Sequence, residues 1–316
     1  MRCALAFALA AFALTAGAQT YPAKPVRLVV PFPPGGTVDI SARALAPALS
    51  DALGQNIIVD NRGGAAGMVG SALVAKSPPD GYTLLMGSNS TLSVAPSLSP
   101  GVIQYHPVRD FAPISLVGAT PFVLVVHPSV PVKTVKEFIA LAKAKPGAMN
   151  MASGGVGHLV GEHFQSMTGT KFVHVPYQGT GPAGIALMGG QVDLMFDQLA
   201  TSIGPVKAGR TRALAVSFNR RAAALPVVPT MREAGVPNFE VTSITAVLAP
   251  AGTAPEIIAR LNGAIHKALP LPATKERFAA VVLEPSPSTP VELAAYIKED
   301  LARWMKVVKE ANIKTE

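Results

Sequence analysis

Cysteine is almost absent from this sequence: Cys3 is the only one in 316 residues, so disulfides, cysteine-ligated metals and thiol nucleophiles are excluded beyond it. No serine has glycine at both −2 and +2, which removes the nucleophile elbow of α/β-hydrolases. The stretch HLVGEH from His158 to His163 matches neither HExxH nor HxxEH, so it gives no metalloprotease signature. No run of five cations occurs and Arg220-Arg221 is the densest pair, which argues against a nucleic-acid footprint. The formal charge of +8 instead favours small anionic ligands. Beyond the first 18 residues no segment has 18 uninterrupted apolar residues, the length a membrane helix needs.

What is present begins with an export signature. Arg2 supplies a charged start, residues 3–16 are apolar but too short to span a bilayer, and Ala16-Gly17-Ala18 forms a small-residue cleavage site. Residues 1–18 are therefore expected to be a secretory signal peptide, with a periplasmic product. The remaining chain has the length of about two domains and, at 49% hydrophobic residues, enough apolar material for conventional cores.

The stretch VRLVVPFPPGGTVDI organises the rest. Val26, Leu28, Val29 and Val30 give a short apolar run, three of its four residues β-branched, that fits a buried strand and is cut off by Pro31, Pro33 and Pro34. Gly35 and Gly36 supply a turn, Thr37 is expected to cap the helix that follows, and Asp39 falls in its first turn. Without side chains at the glycines, backbone N–H groups and the helix N-terminus can approach a carboxylate or phosphate. A tight turn holding no ligand fits the same residues.

Strand and helix patterns alternate onward, through a helix at 38–53, strands at 56–61 and 82–87, and the polar cluster Ser88, Asn89, Ser90, Thr91. Such alternation predicts an α/β fold with a parallel sheet and ligand loops beyond the strand ends. An apolar stretch at 114–126 reads as a strand entering a second lobe, and another at 241–248 as the return. Between them strands at 149–152, 172–175 and 191–196 each run into a loop: Ser153, Gly154, Gly155, Gly157; then Tyr177, Gln178, Gly179; then Asp197. GYTLLMGS at 81–88 and GQVDLMFD at 190–197 occupy comparable places. The expected division is 19–118 with 245–316 for the first lobe and 119–244 for the second. Trp304 lies on the apolar stripe of a helix at 290–310 and is assigned to the core.

Gly179 to Gly184 is a literal GxGxxG, but the helix after it has only about two turns, too short for a dinucleotide site, and no cofactor is expected. Asp39 and Asp197 could pair as acids; a helix cap and a strand-end hydrogen bond account for them equally well.

The ordered series PFPPGGTVDISARALAPALS, GQNIIVDNRGGAAG, KSPPDGYTLL, VHPSVPVKTVKEFIALAKAKPG, HVPYQGTGPA, GGQVDLMFDQ, LPVVPTMREAGVPNFE and LAPAGT resembles the receptors of the tripartite tricarboxylate transporter system, the Bug family of periplasmic solute-binding proteins. The resemblance runs nearly end to end. It implies a type II periplasmic-binding-protein (Venus flytrap) fold, two α/β lobes joined by two crossing strands. It also implies that a small mono- or dicarboxylate, aromatic acids included, is held between the lobes by backbone N–H groups and water, then passed to membrane transporter subunits or a sensor. Phe32, Gly35, Gly36, Thr37, Asp39 and Ser88 to Ser90 match the first-lobe loops, and Ser153 to Gly157, Tyr177 to Gly179 and Asp197 the second-lobe loops. Departures are a short loop before His158, Ala95, and Ile244-Thr245-Ala246 in place of an aromatic-rich stretch. A binding fold acting through a protein partner, or an exported enzyme, are the competing readings.

Overall fold

The computed structural model describes residues 21–153, 156–177, 180–280, 282–311 and 313. The expected signal peptide and the loop residues Gly154, Gly155, Gln178 and Gly179 lie outside the described residues.

In chain order, β1 (Val26–Val30) leads to α1 (Thr37–Leu53), β2 (Ile57–Asn61), α2 (Met68–Ala75), β3 (Thr83–Ser88), a π-helical turn (Ser90–Val94), α3 (Ala95–Leu98) and the 16-residue β4 (Phe111–Val126). Then come α4 (Val135–Ala144), β5 (Asn150–Ser153), α5 (Gly157–Thr168), β6 (Val173–Pro176), α6 (Thr180–Met188), β7 (Leu194–Gln198), α7 (Leu199–Lys207) and β8 (Arg212–Val216). The chain closes with β9 (Thr242–Pro250), α8 (Pro255–Ala268), α9 (Pro272–Ala280), β10 (Glu284–Pro285) and α10 (Pro290–Glu310).

The sheet is mixed rather than parallel throughout. β1 pairs in parallel with β2 and β3, and β5 with β6 and β7. β9, however, runs antiparallel to both β3 and β4, and β4 runs antiparallel to β7 and β8. The reason lies in the connections. Each βα unit needs a helical crossover and gives a parallel neighbour, whereas the chain that passes between lobes arrives directly and pairs antiparallel.

β4 is the strand the two lobes share. Its residues from Phe111 to Pro121 pair with β9, and from Phe122 to Val126 with β7 and β8. The return crossing is made at Val241, whose N–H donates to the Ser217 carbonyl, and at Thr242, which already pairs with Pro121. β3 and β7 sit in matching places, each between a parallel strand and a crossing strand, as the repeated GYTLLMGS and GQVDLMFD segments predict.

Helices cover both faces. One face of the first sheet buries Leu28, Leu84 and Val247 against Leu45 and Leu49 of α1 and Leu261 and Ile265 of α8. On the other face, Leu293 and Ile297 of α10 meet Leu85, Ala246 and Leu248. The same helix continues into the second sheet's core, where Trp304, Val307 and Val308 pack with Phe138, Phe164, Phe196 and Phe239. Its apolar stripe is therefore long because it serves two cores, and Trp304 is fully buried.

The segment from Gly64 to Gly67 wraps the first-lobe loop through four successive positive φ angles, 137°, 45°, 52° and 91°, two of them on Ala65 and Ala66. Gly70 then packs so closely that a Cβ there would lie 2.5 Å from the Arg62 carbonyl oxygen and 2.8 Å from Pro31 Cα. Alanine is the better helix former, yet Gly70→Ala is expected to destabilise the protein by roughly 1–3 kcal/mol, because backbone atoms cannot retreat. Ala66→Gly should do the opposite, by about 1 kcal/mol, as it relieves left-handed strain. Urea denaturation of both variants measures the two signs.

Candidate functional site

The C-terminal ends of the parallel strands of the two sheets lie on opposing rims. β1, β2 and β3 end on one rim at Val30, Asn61 and Ser88, and β5, β6 and β7 end on the opposing rim at Ser153, Pro176 and Gln198. The rims touch: the Thr37 hydroxyl donates to the Gln198 side-chain oxygen at 3.3 Å. Gln198 is held from behind, since its amide nitrogen donates to the Ser243 hydroxyl at 3.2 Å.

On the first rim Gly36, not Thr37, occupies the cap position of α1, with φ −82° and ψ 166°, and no side chain caps the helix. Thr37 is one residue inside, and its hydroxyl is turned across the cleft. The first-turn N–H groups of α1 consequently have neither an intrahelical nor a side-chain acceptor. Asp39 does not point outward. Its buried carboxylate accepts from the Gly35 N–H at 2.9 Å, from Arg43 Nε at 3.0 and 3.1 Å and from Asn61 Nδ2 at 2.9 Å. Asn61 also reaches the Phe32 carbonyl at 3.0 Å. Burial pushes the Asp39 carboxyl upward, but the bonds from Arg43, Gly35 and Asn61 outweigh it and hold it below the ordinary range. Asp39 thus clasps the proline-glycine loop into shape, and it takes up the Gly35 N–H in doing so. Phe32 packs under the loop, close to Gly67.

Ser88, at the end of β3, is 5% exposed and its Oγ has no hydrogen-bond partner. Next to it, Asn89 is another clasp. Its oxygen accepts from the Ile244 N–H at 2.6 Å, and its nitrogen donates to Tyr296 at 3.0 Å and Asp300 at 2.9 Å. Ser93 also donates to Asp300, at 2.5 Å, so α10 is tied to the rim and to β9 at one buried point. Ser90 is half-buried in the π-helical turn.

The crossing strands form a floor of hydroxyls that motif reading missed. Ser88 lies opposite Thr245, and Ser243 opposite Thr120, in antiparallel register. Residues paired in this way project to the same face, and so do Ser243 and Thr245, two apart along β9. Thr120 is fully buried and its Oγ1, like that of Ser88, has no partner. Thr120 and Ser243 belong to no motif, so only the register could have identified them.

On the second rim, Ser153 is buried and its hydroxyl is 2.7 Å from His174 Nε2. The His174 ring stacks on His158, centroids 3.6 Å apart and 4° from parallel, and His158 lies 3.5 Å from a Glu162 oxygen. Burial, helped by the neighbouring His158, pushes the His174 imidazole down to about 4. Tyr177 donates its N–H to the Ser153 carbonyl at 2.9 Å. Gly157 admits no side chain, since a Cβ would stand 2.5 Å from the Phe196 carbonyl oxygen. Asp197 is turned into its own lobe. Its carboxylate accepts from the Gln198 N–H at 2.8 Å, Thr201 at 2.7 Å and Ser202 at 2.8 Å, and burial raises its pKa. Asp39 and Asp197 are each consumed within their own rim, and do not form an acid pair. No group of three or more His, Cys, Asp or Glu suited to a metal occurs among the described residues.

Two lobes whose strand ends oppose each other across a neutral floor define a solute-binding protein of the periplasmic type. The family model of the tripartite tricarboxylate transporter family receptor matches residues 41–313, and the chain belongs to that family of solute receptors. It is 42% identical over 311 residues to protein BugT of Bordetella pertussis, covering 97% of this chain and 95% of that one. An R. palustris protein solved with adipate is 36% identical, with a TM-score of 0.79 over 92% of this chain and 98% of that one. MatC of Rhodopseudomonas palustris, solved with bound malate, is 34% identical, with a TM-score of 0.76 over 91% and 100%. Members of this family are periplasmic receptors, and none of the helices described here is long and apolar enough to cross a membrane.

The imidazoles give the stability a pH dependence. His163, stacked on Phe239 in the second core, is pushed down to about 4 by burial and by Arg303, as His174 is by burial and His158. The folded protein keeps both rings neutral to about pH 4, whereas the unfolded chain protonates them near 6.5, so the unfolded state gains protons between those values. Stability is therefore expected to fall as pH drops from about 6.5 to 4, and the slope should shrink in His163→Phe. Denaturant midpoints across that range measure it; a slope unchanged by the substitution would assign the effect elsewhere.

Proposed function

We propose that this receptor takes a small mono- or dicarboxylate between residues 19–118 with 245–316 and residues 119–244, and delivers it to the membrane subunits of a tripartite transporter or to a sensor. In this reading the protein acts by binding and not by catalysis, and residues 1–18 direct its export. The exchange of β4 partners between Pro121 and Phe122 supports a boundary in this part of the chain.

One observation carries the proposal. The uncapped N-terminus of α1 lies on the rim that meets the second lobe through Thr37 and Gln198, and the strands behind it hold two buried hydroxyls, Ser88 and Thr120, without partners. Buried polar groups are nearly always satisfied, so an unpartnered pair in a cleft calls for a polar guest. Backbone N–H groups at a helix start favour an anionic one. The relatives solved with adipate and malate support a carboxylate. Gly36, Thr37, Ser88 and Gln198 are the proposed contacts, with Phe32, Gly35, Asp39 and Asn89 shaping the first rim and Ser153, Gly157, Tyr177 and Asp197 the second. A guest touching both rims binds their closed arrangement best and shifts the population toward it.

The test is a thermal-shift screen of the ligand-stripped protein against mono-, di- and tricarboxylates. A matching acid at a hundred times its Kd should add about 2.7 kcal/mol of stability. Gly36→Val should abolish that gain while leaving the fold intact, since a Cβ at Gly36 meets only the Pro33 carbonyl oxygen, at 3.9 Å. An unchanged shift in Gly36→Val would refute the cradle, and no shift with any acid would refute the carboxylate.

A further inference from the structure

A second opening between the lobes lies beside the polar floor. It is a solvent-open crevice of about 630 Å³, with Leu199, Arg220 and Ala222 to Ala224 on the second-lobe side and Lys275, Ala279 and Leu283 to Pro285 on the other. Its position follows from the chain. Pro121 lines it immediately after Thr120, and Leu199 immediately after Gln198, so at two points one residue faces the floor and the next faces the crevice.

We propose that this crevice is a distinct small-molecule site, and that its occupant is a monocarboxylate with an apolar body. The volume falls within the range of small-molecule pockets. The walls are mostly methyl and methylene groups from alanine, proline, leucine and Val282, which recognise an apolar body and offer almost nothing to a polar one.

Charge selects the rest of the guest. Three charged side chains line the crevice: Arg220, Lys275 and Glu284. Arg220 forms an ion pair with Glu284 and cancels its carboxylate. Lys275 has no carboxylate within ion-pair distance among the described residues, which leaves one net positive charge at the edge of an apolar slot. A single negative charge complements it. A dianion would leave one charge against apolar wall, at a desolvation cost that nothing there offsets.

The site also bears on lobe motion. Arg220 and Glu284 come from opposite lobes, and so do the alanine wall and the leucine wall, so an occupant touches both sides. It stabilises this arrangement of the lobes over any in which they part, and linkage makes it raise affinity for a guest in the cleft by the factor with which that guest raises its own. Val282, on the wall, has φ +52°, an uncommon conformation for a β-branched residue. Such strain is maintained only where its surroundings impose it.

The experiment is a methyl NMR titration of the ligand-stripped protein with benzoate, with acetate and benzamide as the guests lacking the apolar body and the charge. Saturable shifts are expected at Leu199, Val282 and Leu283 with benzoate alone. Ala223→Phe, which fills the slot from an exposed position, should abolish them, and Lys275→Gln should weaken benzoate binding about tenfold. Gly36→Val should leave them in place. Equal shifts with benzamide, or shifts that survive both crevice substitutions, would overturn the proposal. Shifts lost in Gly36→Val but retained in Ala223→Phe would place benzoate in the cleft, overturning the second site while leaving the carboxylate reading intact.

Discussion

The structure depends on one strand being divided between two sheets. β4 spends its first eleven residues against β9 and its last five against β7 and β8. Backbone hydrogen bonds must be satisfied along its whole length, because most of it is buried on both faces. The change of partner at Phe122 therefore fixes where pairing passes from the first sheet to the second. It also sets the register that brings Thr120 opposite Ser243 and, one strand further, Thr245 opposite Ser88. The hydroxyl floor is thus a by-product of where the crossing strands pair.

A second element spans the same boundary. α10 gives Leu293 and Ile297 to the first core and Trp304, Val307 and Val308 to the second, with Asp300 between them bound to Asn89 and Ser93. The helix is pinned at its middle to the first rim while its end is packed in the other lobe. Any parting of the lobes has to pivot near that point, since apolar packing on either side is costly to break and the buried Asp300 carboxylate more so. The arrangement suits a receptor that closes on a solute: stiff lobes, a narrow flexing zone, and recognition groups at the rims that approach.

Much of the fold was legible because its signals are local. The strand, proline stop and glycine turn at the start of the domain and the stripe carrying Trp304 are each set by residues a few positions apart. α7, β8 and α9 had no comparable pattern. Proline and glycine interrupt α7, and β8 is a five-residue strand whose neighbours lie far away in sequence. The site divides along the same line. The glycines and serines of the loops could be read from spacing, but the roles of Asp39, Asn89 and Asp197 could not. Asn89 meets Asp300 across 211 positions, and Thr37 meets Gln198 across 161. A carboxylate in a helix's first turn looks the same in sequence whether it faces a ligand or clasps its own loop. Family resemblance pointed to the loops, whereas Ser243 and Thr120 emerged only once the strands were paired.

The central claim is that neutral donors, and not lysine or arginine, hold the acid in the cleft. The most direct measurement is a crystal structure of the protein with the carboxylate that gives the largest thermal shift. The account predicts a carboxylate group within hydrogen-bond distance of the first-turn N–H groups of α1, with Ser88 or Gln198 completing its shell. A carboxylate held in the cleft between the rims by an arginine or lysine side chain, and not by Gly36 and Thr37, would contradict it.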